Sequence, residues 1–276
     1  MRVTANQIKA MKQKGEKITM LTSYDYTTAK VVDGVGIPLI LVGDSLGMVV
    51  LGYESTIPVT MEEMLHHTKA VVRGAKQAMV IGDMPFMTYH ISVADALRNA
   101  ARFIQEGGAQ AIKLEGGITV AEKVSKIVEC GIPVMGHIGL TPQSVHQLGG
   151  FKVQGKTPEM ASRLLKDAQA LEKAGAFAIV LETVPAPLAR LITQKTSIPT
   201  IGIGAGTDCD GQVQIISDIL GSFTDFVPKH AKQYAKLADI ISNAVAEYDN
   251  EVKTGSFPTD KQSFSMDESI LAELAK

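Results

Sequence analysis

Cysteine is nearly absent: Cys130 and Cys209 are the only two in 276 residues. They lie far apart and match no disulfide framework or zinc spacing, which predicts reduced thiols in a cytosolic protein. An excess of either charge is lacking too. The 27 basic and 29 acidic residues leave a net charge of −2 and a pI near 6.3, so composition gives no electrostatic case for a nucleic-acid or anionic-membrane partner. The longest apolar runs, such as 37–42, are far too short to span a bilayer. The N-terminus MRVTANQIKAMKQKGEK is basic but lacks the apolar stretch of a signal peptide. No Ser/Gly-rich linker or shift of composition divides the chain. The expectation is a cytoplasmic protein of one domain, 1–276, ending in a polar tail over 254–276. That tail is read as loosely attached, with an arm docking on a neighbouring subunit as the alternative.

What is present is ordinary globular composition, 45% hydrophobic and 20% charged, in a chain long enough to bury a sizeable core. Short runs rich in Val and Ile recur at 18–22, 39–42, 78–81, 111–114, 133–136, 177–181, 199–203 and, less clearly, 213–216. They barely alternate with polar residues, as strands covered on both faces do. Helix signals fill the gaps. Thr60-Met61-Glu62-Glu63 and Thr119-Val120-Ala121-Glu122 have the form of capping boxes. Thr157-Pro158 offers an N-cap and a first-turn proline, and Ser92 and Gly107 bracket another helix. Eight such units in about 250 residues predict an α/β fold, a closed (β/α)₈ TIM barrel with a short C-terminal extension. A doubly wound open sheet is the runner-up.

A barrel gathers the C-terminal ends of its strands on one face. Here those ends carry Asp44-Ser45, Asp83, Lys113 with Glu115, His137 and Glu182. Singly, each reads as a turn former, cap or solvated charge. Together they converge. Asp44, Asp83, Glu115 and Glu182 would repel one another and so call for a cation. Carboxylates without local His/Cys partners suit a hard ion, Mg2+ first, with manganese or cobalt as substitutes. The adjacent His66 and His67 do not face one way and make a poor zinc pair. Such a pocket suits a chelating 2-oxo acid, with Lys113 neutralising enolate charge, Ser45 bonding a carboxylate, and Glu182 free to move the proton α to the carbonyl.

The same residues sit in longer stretches, in this order: Leu41-Val42-Gly43-Asp44-Ser45-Leu46-Gly47-Met48, Asp83-Met84-Pro85-Phe86-Met87, Lys113-Leu114-Glu115-Gly116-Gly117 and Gly136-His137-Ile138-Gly139-Leu140-Thr141-Pro142-Gln143-Ser144. Gly149-Gly150-Phe151-Lys152-Val153-Gln154-Gly155 and Ile201-Gly202-Ile203-Gly204-Ala205-Gly206 follow. From about Thr4 to Pro258 the chain resembles the ketopantoate (3-methyl-2-oxobutanoate) hydroxymethyltransferase family. The resemblance implies a barrel related to the phosphoenolpyruvate/isocitrate lyase enzymes. It also implies the first committed step towards pantothenate, in which 3-methyl-2-oxobutanoate, 5,10-methylenetetrahydrofolate and water give 2-dehydropantoate and tetrahydrofolate. It places Mg2+ on Asp44, Asp83 and Glu115, the oxo acid on Asp44, Ser45, Asp83 and Lys113, and the proton acceptor at Glu182. His137 falls in the family's site, positioning Glu182 or the new hydroxyl. A cytoplasmic homodecamer is implied as well.

Three other functions compete: a Schiff-base aldolase using Lys113, another magnesium lyase or mutase acting on a 2-oxo acid, and a non-catalytic binding barrel. Loop 149–155 reads equally as a lid and as an ordinary long connection. Loop 202–206 reads as a phosphate or pterin pocket or as a tight turn.

Overall fold

The computed structural model describes residues 2–274. Eight strands, β1 (Ile18–Thr22), β2 (Leu39–Val42), β3 (Met79–Asp83), β4 (Ala111–Glu115), β5 (Val134–Gly139), β6 (Ala178–Glu182), β7 (Thr200–Ile203) and β8 (Gly211–Gln214), close in sequence order into one parallel barrel. The expected (β/α)₈ barrel is therefore the observed one, and the open sheet is excluded, because β1 pairs with β8. Apolar side chains fill two layers. Met20, Leu41, Met79, Ile81, Met135, Val180, Ile201 and Val213 belong to one core cluster, into which the Ala5–Lys14 helix inserts Ile8. Ile40, Val42, Val80, Ile112, Leu114, Ile138 and Ile179 belong to the second, with the surrounding helices. This is the period-2 alternation of a strand whose two faces are both dry.

The helices begin where polar caps take up free N–H groups. Thr60 and Glu63 form the expected capping box, as do Thr4 and Gln7, and Ser92 and Thr157 cap as expected. Thr119 does not. It lies inside a 3₁₀ turn, Ile118–Val120, and the Ala121–Glu129 helix starts without a side-chain cap. The Gly117 position explains this: Asp167 reaches in from the Pro158–Lys173 helix and accepts from Ile118 N at 2.8 Å, so another element serves that helix end.

One wall differs from the rest. Thr19 on β1 and Gln212 on β8 are exposed, where a barrel helix normally lies. The Leu237–Thr254 helix buries none of its residues and exposes Ile241, Val245, Tyr248 and Val252 along one face. Beyond it, 260–262 form a 3₁₀ turn and Glu268–Leu274 a short exposed helix, so the tail has local order. Its last two residues, with any tail reading for them, lie outside the described part. Among the described residues no helix is long and apolar enough to cross a membrane.

Candidate active site

Strand parity aims the polar groups inward. Asp83 continues the Met79 and Ile81 face, Lys113 and Glu115 the Ala111 face, His137 the Met135 face, and Glu182 the Ala178 and Val180 face. Register then sets the neighbours: Asp83 pairs with Lys113 and Glu115 with His137 across adjoining strands. Asp44 follows β2, and Ser45 starts the short turn of helix Leu46–Val49.

The residues singled out in the sequence come together. Lys113 Nζ stands 2.9 Å from Asp83 Oδ1 and 3.2 Å from His137 Nδ1. His137 Nδ1 is 3.4 Å from Glu115 Oε1, and its Nε2 is 3.2 Å from Glu182 Oε2. Asp44 N donates to Asp83 Oδ2 at 3.1 Å. Ser45 Oγ shares a hydrogen bond of 2.9 Å with Tyr24 Oη. Asp44, Asp83, Lys113, Glu115 and His137 are each at most 5% exposed. The Glu182 side chain, at 17%, stands open to a ligand.

Buried charges so close reset one another. Burial, then the Asp83 and Glu115 charges, hold the Asp44 carboxyl well above the ordinary range, against the pull of Lys113 and a hydrogen bond from Gln143. Burial works against the Lys113 ammonium, yet Asp83, Glu115 and Asp44 outweigh it and raise its pKa. A protonated lysine held by carboxylates is a poor nucleophile, which argues against a Schiff-base role. For His137, burial and the Lys113 charge press downward. Contacts with Glu115 and Glu182 prevail, and the imidazole is pushed up to about 9.

Sequence reasoning missed Tyr89 and Gln143, both buried. Gln143 Nε2 donates to Asp44 Oδ2 at 2.8 Å and to Met84 O at 2.9 Å, and its backbone N donates to Glu115 Oε2 at 3.1 Å. Tyr89 Oη donates to Gln143 Oε1 at 2.7 Å and accepts from Glu115 N at 3.2 Å. Gln143 lies in one of the quoted motifs, but a glutamine after a proline carries no chemical pattern. Its role depends on a loop that folds back over β3 and β4.

The donor set fits a divalent ion without forming a closed cage. Among the described residues no group of three or more His, Cys, Asp or Glu is arranged to hold a metal by itself. Yet Asp83 Oδ1 and Glu115 Oε1 are sealed from solvent with no hydrogen bond, and Asp83 Oδ1 is met by the Lys113 charge at 2.9 Å. Buried carboxylate oxygens without hydrogen bonds are costly, a cost that Lys113 at 2.9 Å and His137 at 3.4 Å offset in part. Magnesium, which keeps several waters and takes only one or two carboxylates, suits an incomplete set of this kind.

The two glycine loops are less telling. In loop 149–155, Gln154 N donates to Thr183 O at 3.0 Å, which ties the loop to the end of β6. In loop 202–206, Gly204 and Gly206 take positive φ values of 65° and 84°, and a Cβ on Gly206 would lie 2.5 Å from Ala186 Cβ. That is the geometry of a packed turn.

The family model described as ketopantoate hydroxymethyltransferase matches residues 2–260. A 3-methyl-2-oxobutanoate hydroxymethyltransferase of Dehalococcoides mccartyi is 70% identical over 276 residues, covering all of this chain and 98% of its own. Another, from Syntrophus aciditrophicus, is 60% identical over 263 residues, covering 95% and 97%. Among solved structures, 2,3-dimethylmalate lyase of the PEP mutase/isocitrate lyase superfamily superposes with a TM-score of 0.59 at 16% identity, covering 100% and 99%. Phosphonopyruvate hydrolase in complex with oxalate and Mg++ gives 0.58 at 14%, covering 99% and 95%. At those identities the structures establish a shared barrel alone. By sequence over nearly its whole length, the chain belongs to the ketopantoate hydroxymethyltransferase family.

Proposed function

We propose that this protein converts 3-methyl-2-oxobutanoate, 5,10-methylenetetrahydrofolate and water into 2-dehydropantoate and tetrahydrofolate, using one barrel domain. The observation that carries the reading is Glu182: an open carboxylate beside His137, facing a buried cluster of one cation and three further carboxylates. Glu182 takes the C3 proton of the oxo acid. Lys113, held cationic by its neighbours, stabilises the negative charge that spreads onto the carbonyl oxygen. Ser45, fixed by Tyr24, bonds the substrate carboxylate. His137 orients Glu182 and then the new hydroxyl group. Asp44, Asp83 and Glu115 would hold Mg2+, which when bound supplies Lewis acidity at the oxo-acid carbonyl. A cavity of about 460 Å³ lies beyond the ends of β4 and β5, lined by Gly116, Ile138, Gln154, Arg163 and Asp167 and by none of these site side chains.

Product formation is expected only with the oxo acid and methylenetetrahydrofolate both present, and it is expected to fall away on chelation with EDTA. Turnover of the oxo acid without the folate would favour the lyase or mutase reading. Full activity in EDTA with borohydride trapping at Lys113 would favour the aldolase.

Self-association, placed in the cytoplasm, belongs to the same proposal. The apolar stripe Ile241, Val245, Tyr248 and Val252 has the spacing of a helix face made to be covered, and β1 and β8 offer an uncovered wall. A second copy of the chain supplies both partners at once, consistent with the decamer that the resemblance implies. Ile241→Glu together with Val245→Glu is expected to shift the protein to a smaller species in light scattering. An unchanged mass rules out this face.

A further inference from the structure

We propose that Gln143 and Tyr89 form a clamp that grips Asp44 and Glu115 by one oxygen each, leaving the other oxygen of each carboxylate for a divalent cation. The proposal rests on the reading that these carboxylates hold the metal.

The direction of every hydrogen bond in the clamp is dictated from its two ends. Glu115 N–H can only donate, so Tyr89 Oη accepts there at 3.2 Å and must turn its own proton elsewhere. That proton goes to Gln143, 2.7 Å away, and the atom receiving it is therefore the amide oxygen. At the far end Met84 O can only accept, so the group 2.9 Å from it is the amide NH₂. With both ends fixed, the side chain cannot flip without opposing donor to donor and acceptor to acceptor. The remaining NH₂ proton faces Asp44 Oδ2 at 2.8 Å, so that oxygen is always offered a donor. The backbone N–H of the same residue holds Glu115 Oε2.

The consequence lies in the oxygens left over. Glu115 Oε1 has no hydrogen bond although it is buried. On Asp44 the side-chain donor, Gln143 Nε2, takes Oδ2. Asp83 is restrained through another donor: Asp44 N takes its Oδ2, and Oδ1, without a hydrogen bond, lies 2.9 Å from the Lys113 ammonium. Three mutually repelling carboxylates are thus each restrained at one atom. Partners that orient ligating groups in this way typically control about 10- to 100-fold in metal affinity.

The test measures Mn2+ binding by electron paramagnetic resonance on the full-length protein, without substrate or turnover. Gln143→Met keeps length and loses both ends of the amide, and its affinity is expected to fall by about 10- to 100-fold. Tyr89→Phe removes one of the two contacts that fix the amide and leaves Met84 O to hold it alone, with a smaller loss of a few-fold. Because Tyr89 acts largely through Gln143, the double variant is expected to bind less weakly than the product of the two single losses. Circular dichroism establishes that each variant is folded. A folded Gln143→Met protein with wild-type Mn2+ affinity overturns the clamp. If Gln143→Met does not fold, wild-type affinity in Tyr89→Phe overturns it instead. Asp44→Asn and Glu115→Gln separate the two levels. Undiminished Mn2+ binding in both defeats the metal assignment itself, whereas loss in both with wild-type binding in the clamp variants defeats the clamp alone.

Discussion

Replacing Glu182 by glutamine is expected to lower kcat by about 10²- to 10⁴-fold, the range that a positioned acid or base contributes, equal to roughly 3 to 5 kcal/mol of barrel-held transition-state stabilisation. The substitution keeps shape and volume. The amide oxygen takes the place of Glu182 Oε2, 3.2 Å from His137 Nε2, so the close approach of the two side chains is kept. Only the ability to take a proton is lost. Glu182 is also the most open carboxylate of the cluster, so its neutralisation leaves the buried charges among Asp44, Asp83, Glu115 and Lys113 in place. Mn2+ affinity and thermal stability should therefore stay close to wild type while turnover collapses. Exchange of the C3 hydrogen of 3-methyl-2-oxobutanoate with D₂O, followed by NMR, isolates the proton-transfer step from folate chemistry. Exchange at the wild-type rate in Glu182→Gln would falsify the assignment of the base.

The clustering of the candidate residues was legible in the sequence because barrels sort residues by position along a strand. Apolar runs marked the strand bodies, and ionisable residues at the ends of β2 to β6 marked the cluster. The same logic misjudged where the strands end. A run of apolar residues stops at the first polar side chain, whereas the backbone ladder continues wherever that side chain points inward. Thus β3 runs on to Asp83, β4 to Glu115, β5 past His137 to Gly139, and β6 to Glu182. For β8 the expected run, 213–216, lay two residues too far towards the C-terminus. The strand starts at Gly211, where an added Cβ would lie 2.2 Å from Ile18 O, so close packing there demands a residue with no hydrophobic signal. Gln143, Tyr89 and Tyr24 were illegible for a different reason. Their partners lie 99, 54 and 21 residues away, and neutral polar residues in such places have many uses. The exposed apolar helix near the C-terminus could have been found by its periodicity, since Ile241, Val245, Tyr248 and Val252 follow helical spacing.

Lys113→Met tests the electrostatic frame on which the chemistry stands. Methionine matches the length of the lysine stem and removes one buried positive charge. Asp83 loses the ammonium 2.9 Å from Oδ1, and Asp44 and Glu115 lose a neighbour that offset their repulsion. Breaking one side of a buried pair typically costs about 3 to 5 kcal/mol, which in a chain of this size corresponds to a fall in Tm of roughly 10 °C. The deficit has a definite pH dependence. Without Lys113 the Asp44 carboxyl moves further above its ordinary range, so the folded protein binds protons that the unfolded chain releases. Stability then falls as pH rises and recovers towards mildly acidic pH, where the carboxyl is protonated in the folded state. Added Mg2+ replaces part of the missing charge, and the rise in Tm on adding it should be larger in Lys113→Met than in the wild type. Turnover, by contrast, should stay low even at saturating Mg2+, because the stabilising ammonium at the developing enolate is gone, a loss of about 10²- to 10³-fold. Recovery of stability by metal without recovery of kcat separates the two duties of Lys113. A variant that melts with the wild type at every pH would show that the carboxylates do not need this cation.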